Sequence, residues 1–160
     1  MAEQFYRHMG VYGICVMDKK LLVIRKRLGP YTGRFDLPGG RPEPSESLEQ
    51  AMMREMREET GYVVQTLASI GVCDFDVKWM RQDGATETVH HIAILYEASI
   101  DPAEAAGTVE PFEGQDSSGA EWLPIHEAAS AACSPLVRQA IAWLSTKTIP
   151  VRRASFDYRG

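Results

Sequence analysis

Residues 38 to 61 leave this chain few conformational choices. Pro38-Gly39-Gly40 breaks any strand that enters it, and Pro42 and Pro44 keep the next residues out of a helix. Ser47 is then a good N-cap, and Gln50 three residues later completes a capping box. Glu49 sits in the first turn, where the helix dipole favours negative charge. From Leu48 to Thr60 there is no Gly or Pro, and Gly61 follows as a C′ stop. A tight glycine loop feeding a helix over 48–60 is therefore predicted, with Leu48, Met52 and Met56 as its core-facing stripe.

The same helix places Glu55, Glu58 and Glu59 at i, i+3 and i+4, on one face within one turn. Like charges at that spacing destabilise a helix by about 0.2–0.5 kcal/mol per pair. A divalent cation reverses the sign. Mg²⁺ is a hard ion that takes one or two carboxylates together with substrate phosphates and water. Arg54 can pair with Glu58 at i+4 and orient it. Taken alone, three glutamates on a helix are more often a solvated face than a site. That plain alternative does not account for the loop before them.

Gly40, five residues, Glu46, seven residues, Arg54-Glu55, apolar Met56, Glu58-Glu59 and Gly61 form a pattern that resembles the Nudix box. A chance match to these positions is on the order of 10⁻⁸ per starting point at ordinary residue frequencies. Phe35 stands where the family often has Trp, and Tyr62 where an aliphatic residue is commoner. The resemblance implies the Nudix fold, an α/β (α+β) architecture with a mixed β-sheet sandwiched between α-helices. It covers roughly 8–147 of one domain, with 148–160 as a tail. It also implies a hydrolase that cuts nucleoside diphosphates linked to another group, with Mg²⁺ as cofactor and Mn²⁺ as a substitute. On that basis Glu55, Glu58, Glu59 and the Gly39 carbonyl are the expected metal ligands, and Glu55, Glu58 and Arg54 the catalytic group. Glu46 is expected to anchor the loop. The family often adds an acidic residue from a later loop; Glu110, Glu113 and Asp116 are the candidates, with Glu113 and Asp116 favoured. It often adds a phosphate-contacting cation as well. Alternation puts Arg25 and Arg27 on one face of a strand and Lys26 on the other, and Arg27 is the preferred choice.

Trp79 could stack on a base, although a structural Trp is the commoner outcome. His90 and His91 begin a strand, so one must point each way.

The chain has 160 residues, 44% of them hydrophobic and 24% charged, enough for one domain with a real core. A net charge of −5 gives no basic field for bulk nucleic acid. An acidic protein that handles anionic nucleotides needs local cations or metal. Cys15, Cys73 and Cys133 are far apart and odd in number, which suggests thiols in a reducing compartment. No apolar run approaches the roughly 20 residues of a membrane span. These features lead us to expect a cytoplasmic protein with no membrane partner, a small-molecule nucleotide substrate, and a homodimer left open.

Strands are predicted over 10–17 and 21–27 as a hairpin, then 35–37, then 62–76 with a break near Gly71. Residues 78–87 read as a polar loop with an Asp83-Gly84 turn, followed by a strand over 88–100. A loop over 101–119 precedes a short strand at 120–123. Pro124 opens a short helix, and Ser134-Pro135 starts a longer one through Val137, Ile141 and Leu144. Two function classes fit: a metal-dependent pyrophosphohydrolase acting on an NDP-X, ADP-ribose-like or modified nucleoside triphosphate substrate, or a module that binds nucleotide without cutting it. Loss of the carboxylates would be expected in the second, and here they are all present.

Overall fold

A computed structural model describes residues 3–104, 117–149 and 153–160. The elements are β1 (Gln4–Ile14), β2 (Val16–Met17), β3 (Lys20–Lys26), β4 (Phe35–Asp36), β5 (Gly39–Gly40), α1 (Leu48–Thr60), β6 (Val64–Met80), β7 (Thr86–Ile100), β8 (Ser117–Pro124), α2 (Pro135–Thr146) and β9 (Ala154–Asp157). Short 3-10 turns occupy Pro102–Glu104 and Ile125–Glu127.

The strands form two sheets. One has the order β5-β1-β7-β6-β9; the other runs β2-β3-β4, with β8 also paired to β3. The first is mixed: β1 runs parallel to β7, β9 parallel to β6, and the remaining pairs are antiparallel. Two apolar clusters lie on either side. Met52 and Met56 of α1 pack on Val11, Leu22, Tyr96 and Ala98. On the opposite side, Leu136, Val137 and Ala140 of α2 join Ile14, Leu95 and Leu123. The expected mixed β-structure sandwiched between α-helices is thus observed, divided into two sheets.

Local chemistry explains α1. The Ser47 side chain accepts from Gln50 N–H at 3.1 Å, and the Gln50 side chain accepts from Ser47 N–H at 2.8 Å. Gly61 closes the helix in the left-handed conformation, and its N–H donates to Arg57 O. Leu48 is 39% exposed, so the buried stripe is Ala51, Met52 and Met56. Tyr62 has a reason to be aromatic: its hydroxyl accepts the Trp122 indole N–H at 3.0 Å, edge to face at 5.7 Å.

Several boundaries differ from the sequence expectation. β1 begins at Gln4, because Gln4–Ile14 pair in unbroken register with Glu87–Glu97. The polar stretch 78–87 is mostly strand; β6 runs to Met80 and β7 starts at Thr86. Only the turn at Arg81–Ala85 remains, closed by Arg81 N–H to Ala85 O and by Ala85 N–H to the Asp83 side chain. The break near Gly71 is a register shift between Ser69 and Gly71. The C-terminal tail adds β9 to the edge of β6, register Phe75↔Ala154 to Lys78↔Asp157. No helix among the described residues is long and apolar enough to cross a membrane. All three cysteines are buried and free, and burial raises the Cys15 thiol to about 11 and the Cys73 thiol to about 12.

Candidate active site

β5 carries the glycine loop. It pairs with β1 in the register Val11↔Gly40 and Tyr12↔Gly39, which presses the loop backbone against the sheet. Gly39 has φ +154°, and a Cβ there would lie 2.0 Å from the Val11 carbonyl oxygen. A Cβ on Gly40 would instead meet the Glu55 carboxylate, 2.7 Å from Oε1. The two glycines thus have different neighbours. One is required by the fold, and the other leaves space for a glutamate.

The loop and helix are tied together by charge. Arg54 Nε and its two terminal nitrogens donate to Glu46 at 2.7 and 2.9 Å, Glu55 at 2.9 Å, Glu58 at 3.2 Å and the Arg41 carbonyl at 3.2 Å. Its main partner is Glu46, in a two-pronged contact. Hydrogen bonds from Arg54 and from Glu43 N–H hold the Glu46 carboxyl down at about 2. Glu46 is therefore placed as a loop anchor. Beneath the loop, Glu59 is buried and its Oε1 accepts from Gly39 N–H at 3.1 Å.

A cavity of about 500 Å³ opens beside this cluster, a size typical of small-molecule sites. Gly39, Gly40 and Glu55 line one end, and Lys26 and Arg41 line its walls. The floor is aromatic. His91 is 2% exposed and sits between two tyrosines, with Nδ1 2.7 Å from the Tyr31 hydroxyl and Nε2 2.8 Å from the Tyr12 hydroxyl. Tyr12 is also within 3.1 Å of His8 Nε2. Burial first, then the charges of His8, Lys26 and His90, pushes the His91 imidazole down to about 3. Burial also raises the Tyr31 hydroxyl well above its ordinary range. The floor is neutral at physiological pH. Asp36, 3% exposed, reaches the same cavity and accepts from Leu37 N–H at 2.9 Å and the Ser134 hydroxyl at 2.7 Å.

Glu55 faces the cavity with Gly39 and Gly40, Glu59 lies under the loop, and Glu58 is half exposed at 46%. As placed, no three acidic, His or Cys side chains among the described residues converge tightly enough to enclose an ion. The donor set is still hard oxygen throughout and fits Mg²⁺ or Mn²⁺. Arg54 lies between Glu55 and Glu58, and Glu58 has the exposure to turn. Arg25 lies over the Phe35 ring at 4.3 Å and pairs with Glu121 at 3.5 Å; neither it nor Arg27 is among the residues that line the cavity. Lys26, on the opposite face of the strand, is the one of these three cations that lines it. Trp79 does not line the cavity either; its indole N–H donates to Glu87 Oε1 at 3.1 Å. Glu97 is exposed, 4.0 Å from Lys147. Glu110, Glu113 and Asp116 lie outside the described residues. Asp36, Tyr12 and Tyr31 carry no sequence signal that singles them out, and His91 shows only that it or its neighbour His90 points inward. Arg41 is not among the residues expected from sequence, although its place directly after the glycine pair is a usable signal. The others become neighbours only through the fold.

The NUDIX domain family model matches residues 6–144. The chain belongs to the Nudix family. It is 39% identical over 71 residues to an ADP-ribose pyrophosphatase of Methanocaldococcus jannaschii, covering 43% of this chain and 42% of that one. It is 40% identical over 110 residues to the putative nudix hydrolase 1 of Caenorhabditis elegans, covering 69% of this chain and 26% of that one. The chain thus spans less than half the length of these Nudix relatives. Among solved structures, a NUDIX hydrolase from Nitrosomonas europaea superposes with a TM-score of 0.63 at 23% identity, covering 91% of this chain and 93% of that one. The NUDIX domain of Shewanella oneidensis NrtR, complexed with ADP ribose, gives 0.60 at 18% identity, covering 92% and 89%. These likenesses show a shared Nudix fold.

Proposed function

We propose that this Nudix protein is a metal-dependent pyrophosphohydrolase that cuts the diphosphate of a nucleoside diphosphate linked to another group. The observation that carries this reading is a single cavity in which the glycine loop and Glu55 meet two cations, Lys26 and Arg41. Glu55, Glu58, Glu59 and the Gly39 carbonyl would hold Mg²⁺, or Mn²⁺ in its place. The metal, when bound, supplies positive charge that offsets the charge developing on the phosphate oxygens. Lys26 and Arg41 bind the remaining phosphate charge, which answers the net charge of −5. Glu55 accepts the proton of the attacking water as the P–O–P bond breaks. Arg54 acts through other groups: it positions Glu55 and fixes the loop through Glu46. The substrate belongs with ADP-ribose and similar NDP-X compounds, with modified nucleoside triphosphates second. Buried thiols and the absence of a spanning helix among the described residues favour a cytoplasmic location.

The alternative is a domain that binds nucleotide without cutting it. The carboxylates that do not converge favour this second reading. Incubation with ADP-ribose, NDP-sugars and nucleoside triphosphates separates the two. Monophosphate products that form with Mg²⁺ and cease in excess chelator support hydrolysis. Saturable binding without products on the whole panel supports the alternative.

A further inference from the structure

The cavity does not end at the aromatic floor. Glu87 lines its far end. Glu87 pairs with Gln4 across β1–β7, and Gly39 pairs with Tyr12 across β1–β5, eight residues further along β1. At the rise of a strand, that separates the two ends by roughly 25 Å, far more than a diphosphate occupies. The wall between them is largely aromatic: Tyr6, His8, Tyr12, Val89 and His91. Among the described residues that line the cavity, Lys26 and Arg41 are the cations, and Arg41 reaches along the wall: its guanidinium lies over the Tyr6 ring at 5.7 Å and 3.4 Å from His8 Nδ1. Phosphate charge therefore belongs between the glycine loop and these cations, and the Glu87 carboxylate lies beyond them, two residues along β7 from Val89, the partner of Tyr6.

Glu87 is held in place. Its side chain is 16% exposed, Oε1 accepts from Trp79 Nε1 at 3.1 Å, and Arg81 lies 3.6 Å behind Oε2. Neither Trp79 nor Arg81 lines the cavity. Each carboxylate oxygen has two acceptor sites, so capacity remains for a ligand donor. We propose that Glu87 is the specificity-determining residue of this site, accepting hydrogen bonds from hydroxyls on a neutral distal group and repelling a distal phosphate. This rests on the pyrophosphohydrolase reading and narrows it: the site favours a nucleoside diphosphate carrying a sugar over a nucleoside triphosphate. Trp79 is a positioning residue that fixes the direction of the carboxylate.

The test compares Glu87→Gln with the unsubstituted protein on ADP-ribose and ATP, reading kcat/KM with Mg²⁺ and binding by calorimetry. Glutamine keeps an acceptor for Trp79 and removes the charge. We expect kcat/KM and affinity for ADP-ribose to fall on the order of tenfold to a hundredfold, while the values for ATP hold or rise. Trp79→Phe should raise KM for ADP-ribose several-fold and leave kcat near its original value. Equal losses on both substrates, or an unchanged preference, would overturn the proposal. If the unsubstituted protein cuts neither compound, the hydrolase reading fails by itself. Calorimetry then still decides Glu87: a preference for ADP-ribose that Glu87→Gln abolishes supports it, and no preference, or one that survives, refutes it.

Discussion

The loop-helix cluster and the aromatic floor of the cleft handle charge in opposite ways. Around Arg54, three glutamates, Glu46, Glu55 and Glu58, share a single guanidinium, and one of them, Glu58, stays half exposed. Around His91, an ionisable ring is buried, neutral and satisfied on both nitrogens by tyrosines 60 and 79 residues away in sequence. The first region keeps charge that a metal ion can use. The second removes charge, so that a flat, rigid wall can face the ligand. A site of the kind proposed, for a polyanion, therefore does not need a positive lining throughout; it needs charge at one place and shape at another.

This contrast fails most visibly if the charged end is not where chemistry occurs. Glu58→Gln should lower turnover by about 10²–10⁴-fold without lowering the melting temperature, because it removes a like charge from an acidic turn. Near-normal turnover would move the chemistry elsewhere. Arg54→Met should cost about a hundredfold in turnover through displaced carboxylates and, unlike Glu58→Gln, should lower the melting temperature too. An intact melt would show that the Glu46 anchor does not depend on Arg54.

The glycine pair sharpens the comparison further. Gly39→Ala drives a Cβ into the Val11 carbonyl and should chiefly lower stability, whereas Gly40→Ala displaces Glu55 and should chiefly lower activity, by about tenfold or more. Thermal melts beside a Mg²⁺ titration of turnover for both variants check this, and the reverse assignment would refute it.

His91 should give the smallest effect on turnover and a clear effect on acid stability. Its folded-state value of about 3 lies below the ordinary 6.5, so the unfolded chain binds the extra proton. Stability should therefore fall as pH drops below 6.5, by up to about 1 kcal/mol per pH unit. Glu46, held at about 2, adds a loss only below about 4.5. His91→Leu should be about 1–3 kcal/mol less stable at pH 7, since two tyrosine hydroxyls lose a partner. It should also lose slope between pH 6.5 and 5. Denaturant unfolding at stepped pH reads both quantities.

The same contrast explains what the sequence disclosed. α1, its capping box, its Gly61 stop and the Glu46–Arg54 spacing are local, and each carries a signal within one or two turns. The first six residues of β1 and the stretch 78–87 look polar. The first becomes strand because all of β1 pairs with Glu87–Glu97, a long-range fact, and the second because β6 and β7 stay paired up to Met80↔Thr86. Sequence favours Arg27 as the phosphate-contacting cation, whereas Lys26 lines the cavity, because only the sheet arrangement shows which face of the strand meets it. Trp79, a candidate base platform, does not line the cavity, and its indole N–H donates to Glu87. Asp36 gives no sign, and for His91 the sequence shows only the alternation with His90, since the partners that shape both come from Ser134, Tyr12 and Tyr31.

One measurement bears most directly on the whole account: phosphorus NMR of ADP-ribose incubated with the protein and Mg²⁺, followed by excess chelator, run in parallel with Glu58→Gln. We expect the diphosphate resonances to give way to two monophosphate resonances, conversion to stop on chelation, and the variant to leave the diphosphate intact. Diphosphate that persists with Mg²⁺, or that disappears equally well in chelator or in the variant, would contradict it.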